Sequence, residues 1–128
     1  MSKAIDRLTR DLGYPLLGAT NCDDFMSAKG EYVVFLTGDP AKNLETDDVA
    51  AILPELVQAF QYRFKAAVVD RAIEQSLRER YDVWPTPSLL FLRDGALIGA
   101  VPKVRDWPDY LSEIKSILDR PQPAVTRQ

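Results

Sequence analysis

The sequence lacks histidine altogether and holds a single cysteine, Cys22, and these two shortages remove whole classes of chemistry. A disulfide within the chain needs two thiols, and zinc sites draw mainly on Cys and His, so neither an internal disulfide nor a metal centre is expected. A serine or cysteine nucleophile paired with a histidine base is excluded, because the base that would take the proton is missing. Carboxylate or lysine catalysis survives this elimination, yet no spacing of those residues points to it. There is no run of about 18 or more apolar residues, and the charges spread through Met1–Gly13 do not follow the basic, apolar, small-residue order of a secretion signal. A cytoplasmic chain without membrane insertion is expected. A basic excess is missing too: the formal net charge is -3, which argues against nucleic acid as a partner.

What is present suits a folded domain. The chain has 128 residues, 46% of them hydrophobic and 27% charged, far from the composition of chains that stay disordered. A domain of this size buries roughly two thirds of the surface its unfolded chain exposes, enough for a core without covalent staples. One domain over residues 1–120 is expected, followed by a loose Pro-rich tail over 121–128.

Along the chain, Ile5, Leu8 and Leu12 recur at helical spacing behind Ser2 as a cap, and Gly13 stands where that helix stops. Tyr14–Leu17 is a short apolar run, and Thr20 and Asn21 can cap a short helix through Phe25 and Met26 that closes near Gly30. Tyr32–Leu36 is apolar without alternation and rich in β-formers, the pattern of a central strand covered on both faces. Gly38, Asp39 and Pro40 break the backbone, and a polar loop leads to Thr46, whose hydroxyl, followed by Asp47 and Asp48, makes a helix start. Val49, Ile52, Leu53, Leu56, Val57 and Phe60 give this helix a broad apolar face, and Pro54 within it removes a backbone donor and should bend it. Phe64–Val69 reads as a strand, and Asp70 as the cap of a helix carrying Ile73, Leu77 and Tyr81. Ser88–Leu92 and Ala96–Val101 read as a hairpin joined at Arg93-Asp94-Gly95. Asp106 caps a last helix with Pro108 in its first turn and Tyr110, Leu111, Ile114, Ile117 and Leu118 as its buried stripe. No internal repeat is visible.

The order β-α-β followed by α-β-β-α, with a proline inside the helix after the central strand, resembles thioredoxin over about residues 14–118. Tyr81-Asp82-Val83-Trp84-Pro85-Thr86-Pro87-Ser88-Leu89-Leu90-Phe91-Leu92-Arg93-Asp94-Gly95 is similar to the thioredoxin stretch with the cis-proline, placing Pro87 at that position and Thr86 before it. The implied fold class is α/β, a thioredoxin-like three-layer α/β/α arrangement with a central mixed β-sheet. Where thioredoxins carry Cys-x-x-Cys, counting back from Pro54 lands on Thr46-Asp47-Asp48-Val49, so both redox thiols are absent. Together with Phe-Leu-Thr-Gly-Asp-Pro after the central strand and Arg-Tyr-Asp-Val before the proline, this resembles the hydrogenase expression/formation proteins of the HyaE/HupG type. That resemblance implies a bacterial, cytoplasmic, non-enzymatic chaperone of nickel-iron hydrogenase maturation, without cofactor. Its partners would be the hydrogenase small subunit and that subunit's twin-arginine signal peptide, bound before export.

Each singled-out residue carries two readings. Thr86 either lends its backbone to a client peptide at an exposed edge or, with Pro87, only shapes a turn, and Thr86-Pro87 is a reasonable cis bond in both cases. Asp39, Glu45, Asp47 and Asp48 either serve the dipole of the helix start or form an acidic patch for signal-peptide arginines. Trp84 either packs on a client or covers the end of the core, whereas Trp107 is expected to be a packing residue. Glu45, Asp47, Asp48, Trp84, Thr86 and Pro87 are thus the candidate client-binding residues. Cys22, beside Asp23 and Asp24, is expected to be a passive thiol whose thiolate those carboxylates disfavour. A redox protein acting through Cys22 alone, or a structural subunit of another complex, are the competing functions.

Overall fold

The strand Glu31–Leu36 (β2) is buried over every residue after Glu31 because it lies between helices on both sides of a sheet, as its unbroken apolar run requires. In the computed structural model, which describes residues 2–121, the sheet has five strands in the order β1-β3-β2-β4-β5. Its other members are Leu16–Leu17 (β1), Lys65–Val69 (β3), Ser88–Arg93 (β4) and Ala96–Pro102 (β5). β3 runs parallel to both β1 and β2, while β4 is antiparallel to β2 and to β5, which makes the sheet mixed. The last two strands form the expected hairpin, with a register shift between Phe91 and Leu92 and Asp94 and Gly95 at positive φ in its turn.

Three helical segments cover one face: Lys3–Asp6 (α1), Glu45–Ala59 (α3) and Trp107–Leu118 (α5). Together with the turn that follows α1, they pack Ile5, Leu8, Val49, Leu53, Leu56, Tyr110 and Ile114 onto Val33, Phe35, Val68, Leu89 and Phe91. Cys22–Met26 (α2) and Arg71–Tyr81 (α4) cover the other face, where Met26 and Leu77 meet Tyr32, Val34, Leu36, Leu90 and Leu92. Alternate residues of β2 therefore feed two cores, giving the three layers anticipated.

Local details depart from the sequence reading. Ser2 caps α1 by accepting from the Ile5 amide at 3.2 Å, but the helix widens into a π-turn over Arg7–Asp11, with the Leu12 amide bonded to the Arg7 carbonyl. That turn carries Leu12 off the buried face, and it is 40% exposed. Asn21 occupies the cap position of α2 without capping it, since its side chain accepts from the Gly18 amide and donates to the Leu16 carbonyl. Asp106 likewise precedes α5 without a side-chain capping bond, whereas Asp70 caps α4 through the Ala72 amide. The tail expected over 121–128 lies, beyond Pro121, outside the described residues.

Candidate functional site

The candidate residues gather where β2 ends and α3 begins. After Leu36 the chain passes through buried Thr37 to Gly38, whose φ of +70° is one that side chains avoid. A Cβ there would lie 2.6 Å from both the Thr86 hydroxyl oxygen and the Asn43 amide nitrogen, so glycine is required by the closeness of the Thr86-Pro87 loop. The Gly38 amide donates to Glu74 Oε2 at 2.9 Å, and Arg71 reaches from its side of α4 to Glu74 at 3.9 Å and to Asp39 at 3.8 Å. Glu74 is 5% exposed. This buried carboxylate, which sequence reasoning missed, braces the loop after β2 from behind. Its only sequence signal is an acidic residue one turn after Ile73's helix start, which any solvated helix could show.

Thr46 is not the helix cap. The helix starts one residue earlier, at Glu45, and Thr46 is fully buried with its hydroxyl donating to the Thr37 carbonyl at 2.6 Å. The side chain that reads as a cap in sequence instead ties α3 to the end of β2.

The Thr86-Pro87 bond is cis, as the resemblance implies, and Trp84-Pro85 is not among the cis bonds. Pro87 is buried and Thr86 half-buried. Lys103 engages both residues: its amide donates to the Pro87 carbonyl at 2.7 Å, and its ammonium donates to the Thr86 carbonyl at 3.1 Å. The Thr86 carbonyl is therefore covered by the exposed Lys103 side chain.

The three carboxylates of the first turn of α3 do not form one patch. Glu45 Oε1 accepts from the Val104 amide at 2.9 Å and so fastens the loop before α5. Asp47, exposed, turns the other way and lines a cleft of about 510 Å³ with Asp39, Pro40, Ala41, Ser2 and Arg71. Asp48 is exposed and lies outside that cleft.

Trp84 is 43% exposed, with its indole N–H donating to Asp82 at 2.8 Å and the Arg78 guanidinium 5.3 Å from its ring centre. Arg78 also donates to the Trp84 carbonyl. Trp107 is 37% exposed rather than packed away, because it stands at the first position of α5, on the edge of the molecule.

Cys22 lies elsewhere, on the face covered by α2 and α4, beside Asp23, Ile73, Leu77 and Arg80. Its thiol is pushed up, first by burial and then by Asp23, while Arg80 pulls the other way. Desolvation, rather than the flanking carboxylates, is thus the leading cause of the raised thiol pKa. No set of three or more His, Cys, Asp or Glu residues suited to a metal is found among the described residues.

A mixed sheet between two helical layers, a cis-proline loop against the start of the helix after the central strand, and no thiol at that start define a thioredoxin-like domain without its redox pair. The fold is shared with mitochondrial thioredoxin 3 of Saccharomyces cerevisiae, at a TM-score of 0.66 and 18% identity, covering 85% of this chain and 97% of that one. Residues 4–110 match the model of the family described as hydrogenase-1 expression protein HyaE, and the chain belongs to that family. It is 47% identical over 115 residues to the hydrogenase expression/formation protein HupG of Rhodobacter capsulatus, covering 89% of this chain and 83% of that one. A crystal structure of a hydrogenase expression/formation protein hupG from Rhodopseudomonas palustris has a TM-score of 0.58 and 35% identity, covering 84% of this chain and 99% of the other.

Proposed function

We propose that this chain is a non-catalytic, cytoplasmic assembly factor of nickel-iron hydrogenase that binds the small subunit through its twin-arginine signal peptide before export. The observation that carries the reading is the start of α3. The cis-proline loop keeps its close fit to Gly38, but the adjoining helix opens with Glu45, Thr46, Asp47 and Asp48, so the platform retains a binding shape while its thiol chemistry is gone. Exposed carboxylates at a helix N-terminus are favoured by the helix dipole and leave an acidic surface for guanidinium groups. The relatives' names as hydrogenase expression/formation proteins support a role in making a hydrogenase. A redox role through Cys22 gains nothing from the geometry, because the thiol is buried, its pKa is raised, and it lies away from the cis-proline.

The test is capture of the tagged chain from cells that make a nickel-iron hydrogenase. Recovery of the small-subunit precursor with its signal peptide is expected. Recovery of no hydrogenase component would sink the reading.

A further inference from the structure

Three large apolar side chains stand exposed on the α5 side of the cis-proline loop: Leu44 at 86%, Val104 at 38% and Trp107 at 37%. Single exposed apolar residues are ordinary, but the two segments that carry these three are joined by a specific bond. Glu45, next to Leu44, accepts from the Val104 amide, and Trp107 opens α5 three residues later. The loop between is fixed at further points: Lys103 holds φ +67° with its amide on the Pro87 carbonyl, and its own carbonyl accepts from the Tyr110 hydroxyl at 3.4 Å. An apolar rim held this way loses little freedom when a partner covers it.

Acidic charges outnumber basic ones around the rim. Lys103 donates to the neutral Thr86 carbonyl and Glu45 accepts from the Val104 amide, so both keep their charge, Arg105 pairs with Glu113 at 3.5 Å, and Lys42, two residues before Leu44, is an exposed cation in no ion pair among the described residues. Asp48, Asp106 and Asp109 are exposed and form no ion pair among the described residues. Asp48 follows Leu44 by four residues and so falls on the same side of α3. Asp106 and Asp109 flank Trp107. Trp84, by contrast, already has a guanidinium beside its ring and its N–H on a carboxylate, which leaves it a poor seat for an uncharged segment.

We propose that the apolar stretch of an arginine-bearing client peptide docks on the Leu44, Val104 and Trp107 rim, with its arginines on the flanking carboxylates of Asp48, Asp106 and Asp109. This rests on the signal-peptide reading above and moves the apolar contact from Trp84 to the other side of the proline loop. The charge complementarity of the rim favours such a peptide over a second copy of this chain, whose own net charge is negative.

The two tryptophans make the test direct. A tryptophan-free synthetic signal peptide is titrated into the wild type, into Trp84→Phe and into Trp107→Phe, and binding is followed by calorimetry and by tryptophan emission. The expected result is a blue shift in Trp84→Phe, where Trp107 reports, and none in Trp107→Phe. Leu44→Ser, at a site exposed enough to leave folding intact, should weaken binding about tenfold, the loss that accompanies one buried apolar contact. Peptide binding with the shift carried by Trp84 alone, or with Leu44→Ser as tight as wild type, would overturn the rim while leaving the signal-peptide reading standing. Absence of peptide binding to the wild type would overturn both.

Discussion

Glu31→Gln removes the carboxylate at the centre of a cluster that joins the start of β2 to the end of α5. Glu31 accepts from Arg63 Nε at 2.8 Å and from Arg93 Nη2 at 2.8 Å, with a further contact to Arg93 Nε at 3.0 Å. Both guanidiniums also donate to the Leu118 carbonyl, at 3.1 Å from Arg63 and 2.7 Å from Arg93. The side chains of Glu31 and Arg93 are each 16% exposed and that of Arg63 is 46%, so the Arg63 arm is screened and the Arg93 arm largely desolvated. The first is worth about 0–1 kcal/mol and the second about 1.5–3 kcal/mol as charge-assisted hydrogen bonding. Glutamine keeps one acceptor but lets the two cations repel, so a net loss of about 2–3 kcal/mol is expected, or about 8–12 °C in Tm for a domain of this size. The pH dependence has a definite sign. Burial alone would raise the Glu31 carboxyl, but the hydrogen bonds and charges of Arg63 and Arg93 outweigh it and hold the group below its usual range. A folded pKa below the unfolded one contributes stability that is complete above the unfolded value of about 4.3 and is lost as pH falls through the folded one. Urea unfolding of wild type and variant should therefore show a constant gap from about pH 6 to 8 that closes below about pH 4. A gap under about 0.5 kcal/mol at neutral pH, or one that persists on acidification, would refute the assignment.

The remaining expectations concern the site and its chemistry. The pure protein should show no insulin disulfide reduction above background, since a resolving thiol is missing, and Cys22→Ser should bind the signal peptide as wild type does. Gly38→Ala should cost about 2–4 kcal/mol, combining the positive φ with an overlap at Thr86 and Asn43 that chemical denaturation will register. Thr46→Val should cost about 1–3 kcal/mol by leaving the buried Thr37 carbonyl without its donor, and a capping role alone would cost less at this non-capping position.

How far the sequence could be read depended on the range of the interaction. Tyr32–Leu36 announces a central strand because burial on both faces needs only a local run of apolar residues, and Asp70 announces a cap because its partner is two residues away. Pro87 was legible as a cis site only through the resemblance of its neighbours to thioredoxin. The roles of Glu74, Glu45 and Thr46 were hidden, for each is decided by a partner far along the chain: the Gly38 amide, the Val104 amide and the Thr37 carbonyl. An acidic residue in a first helical turn is equally consistent with dipole stabilisation, so composition could not separate Glu45, bonded to a loop, from Asp47, facing a cleft. The exposure of Leu44 was illegible for the complementary reason, that a lone apolar residue in a polar loop reads as incidental until the Glu45–Val104 bond joins that loop to the one before α5.

Whether a twin-arginine signal peptide from a hydrogenase small subunit binds this domain through charge at the starts of α3 and α5 is measured most directly by calorimetric titration of wild type and the Asp48→Asn, Asp109→Asn double variant, each at low and high salt. Exposed pairs are each worth about 0–1 kcal/mol, so the double variant should bind about three- to tenfold more weakly at low salt, and the difference should shrink at high salt as screening sets in. Four equal affinities would contradict the claim that these carboxylates receive the client's arginines.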